Sequence, residues 1–384
     1  MRNSKIEKYI MTISLLLGWI TLCLAQLPMA VPDTVTRIIQ QTQQKYCPDK
    51  RIARFEVAAR FDGQKIVLTG ETLSHEGKTE LISRLREETN FPIEDSLLTL
   101  PDPALGKNTY GLICVSVGQL RRHPDVIYEI ISQALLGTEV RILKIEDRFW
   151  AYCQLDDGYL GWMMLSSIKV GDSAFVAQWR QSDRLIVTSN YGQIWAERKE
   201  QTISVSDVVR GNLLLNLGQK RGWNRVQLPD GRSGYIRSNL VMEEKKYFAR
   251  SQPTPSALVN LAFQFIGIPY LWGGRSTKGF DCSGFTQTLY QLHGLSLPRD
   301  ANMQVKIGHA VALDDSLQNL KTGDLLFFGR DLDHITHVGM YIGKGKFIHA
   351  DGWVHINSFN PTDEDYSRYR RRGLQAARRI LTGD

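Results

Sequence analysis

The chain reads as an α+β protein assembled from several small domains, and three observations carry that expectation. Its 384 residues exceed one ordinary core, since domains hold roughly 100–150 residues each. The block "FWAYCQLDDGYLGWM" (149–163) returns as "GWNRVQLPDGRSGYI" (222–236), an offset of 73 residues, with short alternating runs around an Asp-Gly turn in both copies. The last third places helical periodicity first, in "SALVNLAFQFIG" and "CSGFTQTLYQLHG", and then the strand-like runs "DLLFFG", "HVGMYIG" and "KFIHAD".

Taken in order, the first element is a leader. Arg2, Lys5 and Lys8 precede the apolar run "YIMTISLLLGWITLCLA", and Ala25 is a small residue suited to cleavage. This is the pattern of a secretory signal over 1–25, and the run is shorter than the roughly 20 residues a spanning helix needs. The expectation is an exported protein of the periplasm or cell envelope. Loss of the leader lowers the net charge from +7 to +5, a modest positive balance that suits an anionic envelope and gives no sign of nucleic acid. The densest basic run, "RYRRRGLQAARR", follows Asp363, Glu364 and Asp365 and reads as a solvated, locally neutralised face. Cys47, Cys114, Cys153 and Cys282 remain after cleavage, widely spaced and without a CxxC pair. Zinc spacing and a dense disulfide framework are both absent, while the pairing of any two stays open. No metal, cofactor or nucleotide is expected.

Residues 27–100 form a small α/β unit: a helix around "DTVTRIIQQTQQKY", two strands about Asp62-Gly63, and a second helix in "EGKTELISRLREET". The pattern resembles BON-like envelope domains, which implies docking or spacing rather than catalysis. The repeated blocks predict two small β-barrels, over 101–170 and 171–248. Trp150 aligns with Trp223, Asp157-Gly158 with Asp230-Gly231, and Trp162 with Tyr235, a register that resembles bacterial Src-homology-three-like modules of cell-wall hydrolases. "RSQPTPSA" (250–257) is a linker, and the last domain spans 255–384.

Cys282 is the focus of that domain. Phe285, Leu289 and Leu292 recur at helical spacing behind it, so it opens an amphipathic helix for which Asp281 is the N-cap. A helix N-terminus favours thiolate, which lowers the cysteine pKa and permits nucleophilic chemistry, although inert cysteines occur there too. A nucleophilic thiol needs a base and a group to orient that base. His337 and His349, twelve residues apart across a Gly-Lys-Gly turn, can share one sheet face if the hairpin loop is odd or bulged. On that face they are joined by Gly339 and Tyr341, with Val338, Met340 and Ile342 on the buried side. Zinc ligation by Cys282, His337 and His349 lacks a fourth ligand.

"PYLWGG…FDCSG", "LPRDANMQ", "GDLLFF", "HVGMYIG" and "FIHA" stand in the order and spacing of one family: residues 255–384 resemble NlpC-type cysteine peptidases of bacterial cell walls, which have a papain-like core. The resemblance implies Cys282 as nucleophile, His337 as general base and His349 as the third, orienting residue. With two barrels ahead of it, the domain resembles γ-D-glutamyl-L-diamino acid endopeptidases acting on free peptidoglycan stem peptides. That resemblance implies Tyr270, Trp272, Asp281, Ser283, Asp300 and Ala301 in the cleft, and Glu129 and Tyr159 from the first barrel holding the substrate amine. It implies a monomer whose partners are stem peptides. An amidase or acyltransferase of the same fold and a non-catalytic wall-binding protein are the rival readings.

Overall fold

The computed structural model describes residues 30–381, which fall into two compact units divided at Asp102/Pro103. The expected export leader lies outside the described residues. Among those residues no helix is long and apolar enough to cross a membrane.

In the first unit, α1 (Asp33–Tyr46) is followed by the antiparallel hairpin of β1 (Phe55–Phe61) and β2 (Ile66–Thr72), α2 (His75–Glu88) and β3 (Ile93–Thr99). Ser74 caps α2 by accepting the Gly77 amide, and one apolar core joins Ile38, Phe55, Leu68, Leu81 and Leu85. The sequence reading stops at the second helix and misses β3. This strand runs parallel to β2 at the sheet edge and buries little beyond Leu97, so the apolar alternation that marks a strand is nearly absent from "IEDSLLT".

The second unit opens with two seven-stranded antiparallel sheets. The first comprises β4 (Tyr110–Ile113), β5 (Val117–Arg121), β6 (Ile130–Leu135), β7 (Glu139–Glu146), β8 (Trp150–Gln154), β9 (Leu160–Met164) and β10 (Ile168–Gly171). After α3 (Ser173–Gln181) come β11 (Arg184–Val187), β12 (Tyr191–Trp195), β13 (Ser204–Val209), β14 (Leu213–Lys220), β15 (Trp223–Gln227), β16 (Ser233–Arg237) and β17 (Val241–Glu243). The first sheet runs 10-4-7-8-9-5-6 and the second, read from its far edge, 17-11-14-15-16-12-13. Every strand therefore has its counterpart seven strands on, and the sequence repeat is a repeat of topology. Each sheet curls into a barrel, because residues of its two edge strands meet in one core: Ile131 with Ile168 in the first, Val208 with Val241 in the second.

The last part begins with α4 (Glu244–Arg250) and α5 (Pro255–Phe263), the latter capped by Thr254 with Pro255 in its first turn. A short hairpin, β18 (Arg275–Ser276) with β19 (Gly279–Phe280), leads into α6 (Cys282–Gln291), followed by α7 (Ala301–Gln304). Then come β20 (His309–Val311), β21 (Leu325–Gly329), β22 (Ile335–Gly343), β23 (Lys346–Asp351), β24 (Trp353–Ser358), α8 (Arg368–Gly373) and β25 (Leu374–Arg379). The six strands form one antiparallel sheet in the order 20-25-21-22-23-24. Helices α5 and α6 pack on one face against Phe327, Val338, Met340 and Ile348.

The opposite face is covered as well. Tyr341, expected on an open face with His337, is buried with Leu317, Leu320, Phe328, Phe347 and Phe359. The basic run also departs from expectation. Asp363 and Asp365 pair with Lys346 rather than with the arginines. Arg370 reaches Asp351 and lies over the Phe328 ring, and Arg379 grips the buried Asp324 at 2.8 Å through two nitrogens. These arginines brace the sheet.

Candidate active site

Cys282 is the first residue of α6, with Asp281 as N-cap accepting the Gly284 amide at 2.6 Å. The helix is not amphipathic as the spacing predicts: residues 282–290 are all buried. Its apolar side, Phe285 and Leu289, enters the domain core, while its polar side is covered by neighbours that bond most of it and leave Gln287 Oε1 without a partner. Thr286 donates to Gln304 and Gln287 to the Leu297 carbonyl and to Asp157 of the first barrel. A polar stripe can therefore be an interior surface when nearly all of its groups find partners.

Around the start of α6 the structure builds a buried ionic socket. The Asp281 carboxylate also accepts the Gly273 amide at 3.0 Å and the Arg299 guanidinium at 3.1 and 2.5 Å. Arg299 is 1% exposed; it donates further to Ser283 at 3.0 Å and to Ser132 of the first barrel at 3.1 Å. Asp281 and Ser283, both expected in the cleft, are thus engaged in holding the helix that Cys282 opens.

This environment overturns the expectation of a ready thiolate. Burial, and after it the Asp281 charge, pushes the Cys282 thiol up to about 12, against the smaller opposing pull of the Val338 and Ser283 amides and Arg299. The helix terminus is outweighed because the residue is only 8% exposed. The thiol reaches the amide of Val338, next in the chain to His337.

The histidines lie on adjacent strands, and the structure specifies how they meet. The hairpin between β22 and β23 closes on two left-handed residues, Lys344 and Gly345, with a bulge between Tyr341 and Gly343. The resulting register sets His349 against Gly339, two residues from His337. A methyl on Gly339 would lie 3.1 Å from the His349 Cβ, so the missing side chain gives that ring its room. His337 Nε2 and His349 Nδ1 stand 2.9 Å apart with the rings perpendicular. His349 Nε2 continues to Asn357 Oδ1 on β24 at 3.0 Å, and Asn357 donates to the Asp365 carbonyl at 3.1 Å. Burial, followed by the nearby Arg370 cation, holds His337 well below its ordinary value. Burial, followed by the His355 charge, brings His349 down to about 3. The facing nitrogens of this pair bond each other, so the two rings cannot both turn those atoms to a metal.

The remaining expected residues mark the seam between the first barrel and this domain. Trp272, 61% exposed, donates from its indole to Glu129 at 3.0 Å, and Glu129 also pairs with Arg122. Tyr159 is packed in the first barrel's core and donates to Asp300 at 3.0 Å. Tyr270 is half-buried; burial first, and after it the neighbouring Cys282 and Asp281, raise its phenol well above the usual value. Ala301 begins α7, for which Asp300 is the N-cap residue. Arg299, Ser132 and Asn357 are absent from the sequence reading. Arg299 was visible only as a member of "LPRDANMQ", and Asn357 lies on a strand not anticipated.

A thiol opening a buried helix against an antiparallel sheet, with paired neutral histidines on that sheet, defines a papain-like cysteine hydrolase fold. Residues 267–375 match the NlpC/P60 family, and residues 120–168 match the bacterial dipeptidyl-peptidase Sh3 domain. The γ-D-glutamyl-L-lysine dipeptidyl-peptidase of Bacillus cereus is 34% identical over 62% of this chain and 74% of its own length. Dipeptidyl-peptidase 6 of Lysinibacillus sphaericus is 26% identical over 68% of this chain and 94% of its own. The crystal structure of a Bacillus cereus NlpC/P60 family protein superposes with a TM-score of 0.60 at 28% identity, covering 71% of this chain and 99% of that one. The chain belongs to the NlpC/P60 family of cysteine peptidases.

Proposed function

We propose that the protein is an exported cysteine endopeptidase that hydrolyses the bond between γ-D-glutamate and a diamino acid in peptidoglycan stem peptides, with preference for free peptides bearing an N-terminal L-alanine. The observation that carries this reading is the seam itself: Glu129 and Tyr159 of the first barrel each bond a residue of the peptidase domain, Trp272 and Asp300. Acidic groups at that edge suit a substrate ammonium, and the first barrel closes on the peptidase domain there. The names of the Bacillus and Lysinibacillus relatives support the substrate class.

In the mechanism, His337 takes the thiol proton as Cys282 sulfur bonds to the γ-carbonyl carbon. With the thiol pushed up to about 12 and the imidazole neutral, transfer accompanies attack rather than preceding it. His337 then gives the proton to the leaving amine as the C–N bond breaks, and the thioester is hydrolysed by a water that His337 deprotonates. Backbone amides at the start of α6 face the developing oxyanion.

A defined L-Ala-γ-D-Glu-diamino acid tripeptide and its N-acetyl form test the reading by mass spectrometry. A charge-assisted hydrogen bond contributes roughly 1.5–3 kcal/mol, so acetylation is expected to lower kcat/KM about tenfold or more, and Glu129→Gln or Tyr159→Phe to shrink that ratio. Cys282→Ala abolishes turnover of both. Equal rates on the two peptides would remove the preference for free peptides and point to an enzyme that trims intact wall.

A further inference from the structure

We propose that Asn357 sets the tautomer of His337 through His349, and so decides which ring nitrogen is available as the base. The inference rests on the reading of Cys282 and His337 as nucleophile and base.

The argument starts at the end of the relay. Asn357 Nδ2 donates to the Asp365 carbonyl at 3.1 Å. A flipped side chain would turn its own carbonyl toward that carbonyl, so the amide has one orientation and presents Oδ1 to His349. An amide oxygen only accepts. The nitrogen 3.0 Å away, His349 Nε2, therefore carries the hydrogen.

Burial keeps His349 neutral, so its Nδ1 is a lone pair. The partner of that lone pair, His337 Nε2 at 2.9 Å, must be the donor. A neutral imidazole has one N–H, and once it is committed to His349 the Nδ1 of His337 is left bare. A bare nitrogen is what a base requires. Each link is a diagonal step between neighbouring strands, from β22 to β23 to β24.

The groups around the relay are compatible with a neutral chain. The His355 ring lies 4.5 Å from that of His349, Arg370 is paired with Asp351, and the Asp365 carboxylate is held by Lys346 at 2.9 Å. The relay ends on a backbone carbonyl, which does not titrate. An aspartate at 357 would instead invite a proton onto His349. Asn357 is thus a positioning residue, acting through His349 without meeting substrate.

Ring-nitrogen NMR of histidine-labelled full-length protein, together with kinetics, tests this. The wild type is expected to show His337 and His349 both as Nε2–H tautomers. Asn357→Leu removes the acceptor; mixed tautomers are expected, with kcat lowered about tenfold or more and KM little changed. Asn357→Asp keeps an acceptor and is expected to retain the tautomer and most of kcat, with the acid limb of the pH profile moved upward. An Nδ1–H tautomer at His337 in the wild type would overturn the inference, as would unchanged tautomers and kcat in Asn357→Leu. The spectra need no substrate, so a failure of the peptidase reading is seen separately, as absence of peptide cleavage by the wild type.

Discussion

In the proposed mechanism, protonation of one imidazole governs when the Cys282 thiol can act. His337 must then be neutral to accept the thiol proton, so activity is expected above its pKa and is lost as pH falls through it. Burial first and Arg370 second depress that pKa well below the ordinary 6.5. The acid limb of kcat/KM should therefore lie clearly below pH 6.5, and Arg370→Met should move it upward; a limb at or above 6.5 in the wild type would contradict the neutral resting pair. The helix position of Cys282 and its Asp281 cap were legible, because both are local signals of spacing and capping. The protonation state was not, because it depends on burial by segments remote in sequence, and Ser132 and Arg299 are 167 residues apart. An arginine in a Pro-Arg-Asp loop looks like a surface residue until its partners are placed around it.

At the scale of elements, α6 is held by a largely buried charge pair, Arg299 with Asp281. Removing one member of a buried ion pair leaves the other uncompensated, at a cost of about 3–5 kcal/mol. Arg299→Met should reduce stability by that amount in denaturant titration, whereas a loss under about 1 kcal/mol would show the socket to be dispensable. Strands with apolar runs, β21 to β23, were readable from the sequence. "WVHINS" was not read as a strand although Val354 and Ile356 alternate with His355 and Asn357; the segment is short and lies at a sheet edge with Trp353 exposed. The same omission hid Asn357. The hairpin was anticipated, but its register was not, since a bulge shifts the pairing by an amount that composition does not encode.

Across residues 103–381, the duplicated barrels make different attachments with the same turn. Tyr159 follows the first Asp-Gly turn and bonds Asp300 of the peptidase domain. Its counterpart, Arg232, follows the second and donates at 2.5 Å to the Cys114 carbonyl of the first barrel. To a protein engineer the repeat looks like an interchangeable cassette, and the two addresses written in its turns say that it is not. Exchanging 149–163 with 222–236 would keep every hairpin and Asp-Gly corner, yet it would send a tyrosine to a backbone carbonyl and an arginine toward Asp300. The chimera should fold its barrels, as circular dichroism would report, but lose most of its peptidase activity and the proposed preference for a free amine. Swapping the turn residues back, Asp to 156 and Tyr to 159 with Pro to 229 and Arg to 232, should restore both. Duplication here supplied a spare part, and the turn of each copy became its shipping label.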